Sequence, residues 1–173
     1  MKYIFAQGKE NELEQVYGLI DQRIHWMDEV GIAQWNVTDY WECYPKDYYA
    51  RAVRERYLYV LKREEDQKVI SVAVLYEEDE RWADRPGGTA YYVHHFATAL
   101  EEKGAGRIML GCCEQQAARD GREYLRLDCA VDNEKLNGYY DQLGYAYAGI
   151  CVDGKYTGNR REKRLCADDV RQK

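Results

Sequence analysis

The chain has 173 residues, 46% of them apolar and 32% charged, with only two prolines. That is enough for one domain, 1–173, with a single core, and it excludes extended disorder. A net charge of −6 excludes the broad basic face that general nucleic-acid binding needs.

Lys2 to Ala6 opens the chain as a short apolar strand. Over Asn11 to Val30, the residues Leu13, Val16, Tyr17, Ile20, Ile24 and Met27 recur at helical spacing and predict one core-facing stripe. Gly31 ends that helix. Ile32 to Pro45 is aromatic and polar without a clear period, and Asp47 to Arg56 reads as a second short helix. Tyr57 to Lys62 and Val69 to Tyr76 are apolar, β-branched runs flanking a charged turn at Glu64-Glu65-Asp66-Gln67, the pattern of an antiparallel hairpin. Pro86-Gly87-Gly88 marks a turn, and Thr89 to Ala97 is the next strand. A glycine loop and a helix to about Arg119 follow, closed by Asp120-Gly121. Glu123 to Val131 alternates Leu125, Leu127 and Cys129 as a strand, and Asn133 to Gln142 is a short helix. Tyr145 to Val152 and Tyr156 to Cys166 form a closing hairpin around Asp153-Gly154, and the charged tail from Ala167 to Lys173 is expected to fray. This order predicts an α/β (α+β) layer fold: a mixed sheet with helices on both faces.

The six cysteines are Cys43, Cys112, Cys113, Cys129, Cys151 and Cys166. No Cys-x-x-Cys pair occurs, so no metal is expected, and in a reducing cytosol the thiols read as small buried hydrophobes. Tyrosine is abundant, 17 residues against two phenylalanines. Its ring seeks burial and its hydroxyl a partner, which predicts a half-wet surface, groove or interface. No apolar run reaches membrane-spanning length and Met1-Lys2-Tyr3 begins no signal-peptide pattern, so a cytoplasmic location is expected.

Lys103-Gly104-Ala105-Gly106-Arg107 joins the strand ending near Ala97 to the helical pattern of Ile108, Met109, Cys112, Cys113 and Gln116. A glycine pair there presents bare N–H groups at a helix N-terminus, where partial positive charge can surround a phosphate. Glycine allows close approach and a positive φ. A dinucleotide fingerprint would need a third glycine where Met109 stands, and a Walker loop would need Gly-Lys-Ser/Thr. What remains is a two-glycine turn that binds a pyrophosphate.

Glu101-Glu102-Lys103-Gly104-Ala105-Gly106 resembles the cofactor loop Gln/Arg-x-x-Gly-x-Gly/Ala of the GNAT superfamily of acyl-CoA-dependent N-acetyltransferases, with Glu101 where that family usually has Gln or Arg. A second block resembles the same family: Asn133, a short helix, Tyr140 seven residues on, and the closing Leu143-Gly144-Tyr145. The match is best over Thr89 to Ala148, and Gly31-Ile32-Ala33-Gln34-Trp35 is similar to an element of one subgroup.

The resemblance implies a GNAT-like, mostly antiparallel, seven-stranded sheet and an acetyl transfer from acetyl-CoA to a primary amine. It assigns the diphosphate to Glu101, Glu102, Lys103, Gly104, Ala105, Gly106 and Arg107. The pantetheine arm falls to Phe96, Ala97 and Thr98, beside splayed fourth and fifth strands, and to Asn133. Tyr140 would protonate the departing thiolate. His94 and His95 lie on alternate faces of the fourth strand, and either could relay the amine proton through water; His95 is taken as the base, with Glu77, Glu78 and Asp128 as alternatives, and the resemblance leaves open a water chain with no single base. Trp26, Gln34 and Trp35, with Tyr40 and Trp41, would form an aromatic acceptor wall suited to a cation or ring. A small-molecule amine is the first expectation. A protein or peptide amine and a non-catalytic CoA-binding sensor are the alternatives. Neither nucleic acid nor membrane is an expected partner, and a homodimer stays open.

Overall fold

The computed structural model describes residues 2–85 and 87–166; Pro86 of the expected turn and the tail 167–173 lie outside the described residues. The elements in chain order are β1 (Tyr3–Gln7), α1 (Leu13–Val30), α2 (Tyr40–Cys43), α3 (Lys46–Arg54), β2 (Leu58–Arg63), β3 (Val69–Tyr76), β4 (Ala90–Thr98), α4 (Ala105–Arg119), β5 (Tyr124–Ala130), α5 (Glu134–Gln142), β6 (Ala146–Asp153) and β7 (Tyr156–Arg164). The strands follow the order β1-β2-β3-β4-β5-β7-β6. The pairs β1–β2, β2–β3, β5–β7 and β6–β7 are antiparallel, and β4–β5 is parallel. A seven-stranded, mixed and mostly antiparallel sheet is therefore what this sequence adopts. The one-turn α2 is an addition, in the stretch where no period could be read. Among the described residues no helix is long and apolar enough to cross a membrane.

Two compact units make up the chain. The first runs to Leu75 and takes in His95–Cys112; the second takes in Tyr76–His94 and the described chain from Cys113 on. In the first, Leu13, Val16, Tyr17, Ile20 and Met27 are buried along one stripe of α1, as the 3.6-residue spacing requires. Gly31 then leaves the helix at φ 70°, in the left-handed region where a side chain is strained. β2 and β3 are buried residue after residue, Leu58 to Lys62 and Val69 to Leu75. Lys62 at this level is neutralised by Glu12 at 2.8 Å.

In the second unit, β5 pairs with β7 along its whole length, from Tyr124↔Arg164 to Ala130↔Gly158. Its pairing with β4 covers Ala90↔Tyr124, Tyr91↔Leu125 and Tyr92↔Arg126. Val93 and His94 carry β4 beyond that register, while Leu127 to Ala130 stay with β7. The next residue, His95, has φ 51°. A non-glycine residue at such an angle inside a strand is strained, and strain of this kind concentrates at functional positions.

Most tyrosines are half-buried, but Tyr17, Tyr40, Tyr49, Tyr59, Tyr91, Tyr140 and Tyr145 are buried. Several enter the core with a partner for the hydroxyl: Tyr91 donates to Asp120 at 2.8 Å and Tyr145 to Glu114 at 2.8 Å. Cys113, Cys129 and Cys151 are buried as expected, whereas Cys43 and Cys166 are exposed. Both of these stand at or past the end of an element, beyond its core-facing positions.

Candidate active site

The glycine turn is built by its neighbours. Glu102 is buried and accepts from Arg63 Nη1 at 3.0 Å and from the Tyr3 hydroxyl at 3.2 Å. Its side chain thus anchors the loop from behind. Glu101 is likewise engaged, by Lys68 at 3.1 Å. A backbone hydrogen bond and then the Lys68 contact hold the Glu101 carboxyl below its ordinary range. Ala105 N–H donates to Glu102 O at 3.1 Å and Arg107 N–H to Gly104 O at 3.1 Å. The N–H groups of Gly104 and Gly106 meet no acceptor among the described residues. Gly104 sits at φ 86° with open space where a Cβ would be. The exposed side chains of Lys103 and Arg107 flank the turn. Two free amides and two cations are what an anion needs here.

Of the three strand residues assigned to the pantetheine arm, Ala97 O accepts from Ser71 Oγ at 2.8 Å and Thr98 O accepts from Arg23. Among the described residues no side chain bonds the Phe96 backbone.

In the second unit, Asn133 is the N-cap of α5, its Oδ1 accepting from Leu136 N–H at 3.1 Å. Its amide NH2 keeps its donors. Tyr140 lies two turns along α5, buried, with its ring against Tyr139 and Tyr145. Its hydroxyl has no hydrogen-bond partner among the described residues. Burial, followed by the neighbouring Cys129, Tyr139 and Asp128, pushes that phenol well above its ordinary value.

With this turn, this tyrosine and this sheet in place, the comparisons are decisive. The model of the Acetyltransferase (GNAT) family matches residues 20–145. The chain belongs to the GNAT acetyltransferase family. It is 24% identical over 167 residues to the uncharacterized N-acetyltransferase YesJ of Bacillus subtilis (strain 168), covering 91% of this chain and 87% of that protein. A GNAT-family acetyltransferase structure from Listeria monocytogenes 4b F2365 superposes with a TM-score of 0.76 at 17% identity, covering 94% of this chain and 95% of that one. The PaiA N-acetyltransferase of Thermoplasma acidophilum, solved in complex with coenzyme A, gives 0.74 at 15% identity, covering 95% of this chain and all of that one. At these identities the two structures establish the GNAT fold.

The family member seen here has a tyrosine-rich cluster in its first unit. His95 is held at both nitrogens: Nδ1 lies 2.6 Å from the Tyr40 hydroxyl and Nε2 lies 2.9 Å from the Tyr48 hydroxyl. Tyr40 and Tyr49 share a hydroxyl–hydroxyl bond of 2.5 Å. Tyr44 stands edge-on to the imidazole, ring centroids 4.4 Å apart. Burial pushes the Tyr40 and Tyr49 phenols far above their ordinary value. Of the expected acceptor wall, Trp35 packs on Tyr40 at 5.0 Å and Trp41 on Tyr40 at 5.5 Å. Trp26 instead stacks under the Arg23 guanidinium at 4.9 Å. Gln34 is held in a turn, its N–H donating to Asn36 Oδ1 at 2.9 Å.

Sequence reading passed over Tyr44, Tyr48 and Tyr49 around His95, and it passed over Asn137. The side chain of Asn137 donates to Ala130 O and Asn133 O, each at 2.9 Å, and accepts from Asn159 at 2.8 Å and Arg161 at 3.0 Å. It ties the start of α5 to β5 and β7. The pair Asn133 and Asn137, one helical turn apart, was the available signal. Among the described residues no group of three or more His, Cys, Asp or Glu is placed to hold a metal ion.

Proposed function

We propose that the whole chain acts as one N-acetyltransferase domain that moves the acetyl group of acetyl-CoA to a primary amine on a small molecule. The observation that carries this reading is the glycine turn, whose Gly104 and Gly106 amides meet no acceptor among the described residues and lie between two exposed cations. That is the chemistry of a diphosphate receptor, and it fits CoA.

In this reading the Phe96 backbone and the Asn133 amide bind the pantetheine arm. Tyr140 faces the thioester sulfur. An ordinary phenol, with a pKa of about 10, and a thiol of comparable basicity would share a proton readily. Burial moves the Tyr140 phenol upward, so its contribution is a strong hydrogen bond to the developing thiolate rather than early, complete transfer. A small amine is favoured because the half-buried rings of Trp35, Tyr44 and Tyr48 suit a cationic or cyclic group. A peptide acceptor would call for an open acidic groove.

The test is thiol release from acetyl-CoA in the presence of spermidine, glucosamine, an arylethylamine and an alanyl tripeptide, with the thermal midpoint measured in parallel. The reading expects stabilisation by acetyl-CoA and turnover on one of the small amines. Stabilisation without turnover on any amine would favour a CoA sensor, and turnover on the tripeptide alone would favour the peptide enzyme. Stabilisation by ATP or NAD but not by acetyl-CoA would remove the reading altogether.

A further inference from the structure

Arginines that are not exposed in this chain meet carboxylates, with one exception. Arg63 meets Glu102 at 3.0 Å, Arg81 meets Asp128 at 3.2 Å, Arg122 meets Glu77 at 2.9 Å and Arg126 meets Glu162 at 3.1 Å. Arg160 is paired with Asp84 and Arg161 with Asp141. Arg23 is half-buried, and it has no carboxylate among the described residues. Acids are not scarce: the chain has 31 of them against 25 lysines and arginines.

Arg23 stands in the core-facing stripe of α1. Val16, Ile20 and Met27 are buried there, and Arg23 falls one turn after Ile20 and one turn before Met27. Its guanidinium therefore lies under the helix, where Nη2 donates to Thr98 O at the end of β4. The Trp26 ring covers it, 4.9 Å from centroid to guanidinium carbon. A guanidinium has five N–H donors in a planar fork. Beyond the Thr98 carbonyl they meet no acceptor among the described residues. Burial holds this group below its ordinary value.

The acids nearest to it are engaged elsewhere. Asp21 accepts from Trp41 Nε1 at 2.7 Å and Asp28 from Asn36 at 2.7 Å, so both face the aromatic segment. Glu101, three residues beyond Thr98, is held by Lys68. The helix that carries Arg23 thus also pins the aromatic wall. On β4, His95 with its tyrosine partners stands three residues from Thr98, at most about 11 Å of chain. Rings and guanidinium, all within the first unit, fall inside the span of one small molecule.

We infer that Arg23 receives the carboxylate of the acceptor, so that the amine acetylated by this chain is an amino acid. This rests on the acetyl-transfer reading above and narrows its small amine to one class. A carboxylate fits on geometry, because its two oxygens match the planar fork. It also fits on charge. One half-buried cation balances one negative charge, whereas a phosphate dianion would need a second cation, and Lys103 and Arg107 stand at the turn instead. In the step the amine nitrogen bonds to the acetyl carbon and the carbon–sulfur bond breaks. The amine proton ends on the CoA sulfur, and the product is an N-acetylamino acid. Arg23 holds the substrate away from the reacting atoms and selects which amine is taken.

The experiment compares glycine, leucine, phenylalanine and glutamine with their amides, at equal concentration of neutral amine, for wild type, R23Q and R23K. Acetyl-CoA affinity and thermal midpoint are measured on each. The inference expects wild type to favour at least one acid over its amide by about 10- to 150-fold in kcat/KM, as a hydrogen bond to a charged group provides. It expects R23Q to bring that ratio near one and R23K to fall between, with acetyl-CoA affinity kept within about threefold. A 15N measurement of the Arg23 Nε–H, assigned by its loss in R23K, reads binding without turnover. That resonance should shift on titration with the N-acetylamino acids and stay in place with their amides. A wild type that favours the amides would overturn the inference, as would an unmoved resonance or an unchanged ratio in R23Q. Acetyl-CoA binding weakened about tenfold or more in R23Q, with the ratio unchanged, would assign the guanidinium to a cofactor phosphate. A wild type that binds no acetyl-CoA and acetylates neither series is the separate failure of the acetyl-transfer reading, and the Nε–H titration then decides the carboxylate by itself.

Discussion

Arg161 donates through Nη2 to Asn137 Oδ1 at 3.0 Å, with both residues more than nine-tenths buried. Arg161 is also paired with Asp141, and Asn137 holds the first turn of α5 through Asn133 O. Asn137→Ala therefore leaves a buried guanidinium short of an acceptor and frees the start of the helix that carries Tyr140. The expected loss is about 2–3 kcal/mol of stability, read from the midpoint of urea denaturation at constant slope. A loss below about 0.5 kcal/mol would mean that water replaces the amide.

Tyr140→Phe removes a hydroxyl that has no partner among the described residues, so folding should be nearly indifferent to it. Turnover should fall about 10- to 100-fold while acetyl-CoA affinity is nearly unchanged. Steady-state kinetics beside equilibrium titration of acetyl-CoA separates the two. Equal turnover in the variant would remove the proposed role.

The two glycines of the turn should respond differently. At Gly104 a methyl group meets nothing within 4 Å, but φ is 86°. Gly104→Ala thus measures backbone strain alone, about 1 kcal/mol of stability. Gly106→Trp places bulk over the free amides and should abolish acetyl-CoA binding with the fold intact. Titration of acetyl-CoA against both variants checks this, and unchanged affinity in Gly106→Trp would put the diphosphate elsewhere.

Lys103→Ala and Arg107→Ala should each weaken acetyl-CoA binding several-fold at low salt, and the difference from wild type should shrink as salt rises. Binding isotherms at two ionic strengths decide the point.

Stability should fall steeply in alkali. Burial and then the Asp120 hydrogen bond raise the Tyr91 phenol to about 12, and burial raises Tyr145 and Tyr156 as well. A folded value above the unfolded 10 means that this stability is intact below pH 10 and is lost as pH rises toward 12. Urea midpoints at pH 9, 10 and 11 follow it, and Tyr91→Phe should flatten part of the decline.

The regular elements were legible because their signals are local. The stripe from Leu13 to Met27 and the apolar runs at 57–62 and 69–76 state their own period, and Gly31 and Gly121 mark helix ends by their φ. The loop at 101–107 and the Asn133–Tyr140 block were legible as motifs. The stretch 32–45 was not, because its aromatic residues are held by one another and by His95 rather than by a repeating pattern. Nor could alternation say what each of two adjacent histidines does, since burial alternates straight through both and only their partners differ.

Sequence by itself determined the order of strands and helices, the glycine turn at 104–106 and the tyrosine on α5. Each depends on spacing within a short segment and on the stereochemistry of glycine. Tertiary structure alone decided which side chains are spent: Glu101 and Glu102 on Lys68 and Arg63, Asn133 on its own helix, His95 on Tyr40 and Tyr48, and His94 on Asp79. Those partners come from distant points of the chain. A hydrogen bond between them exists only once folding has brought donor and acceptor within 3 Å and removed the water that would otherwise satisfy both.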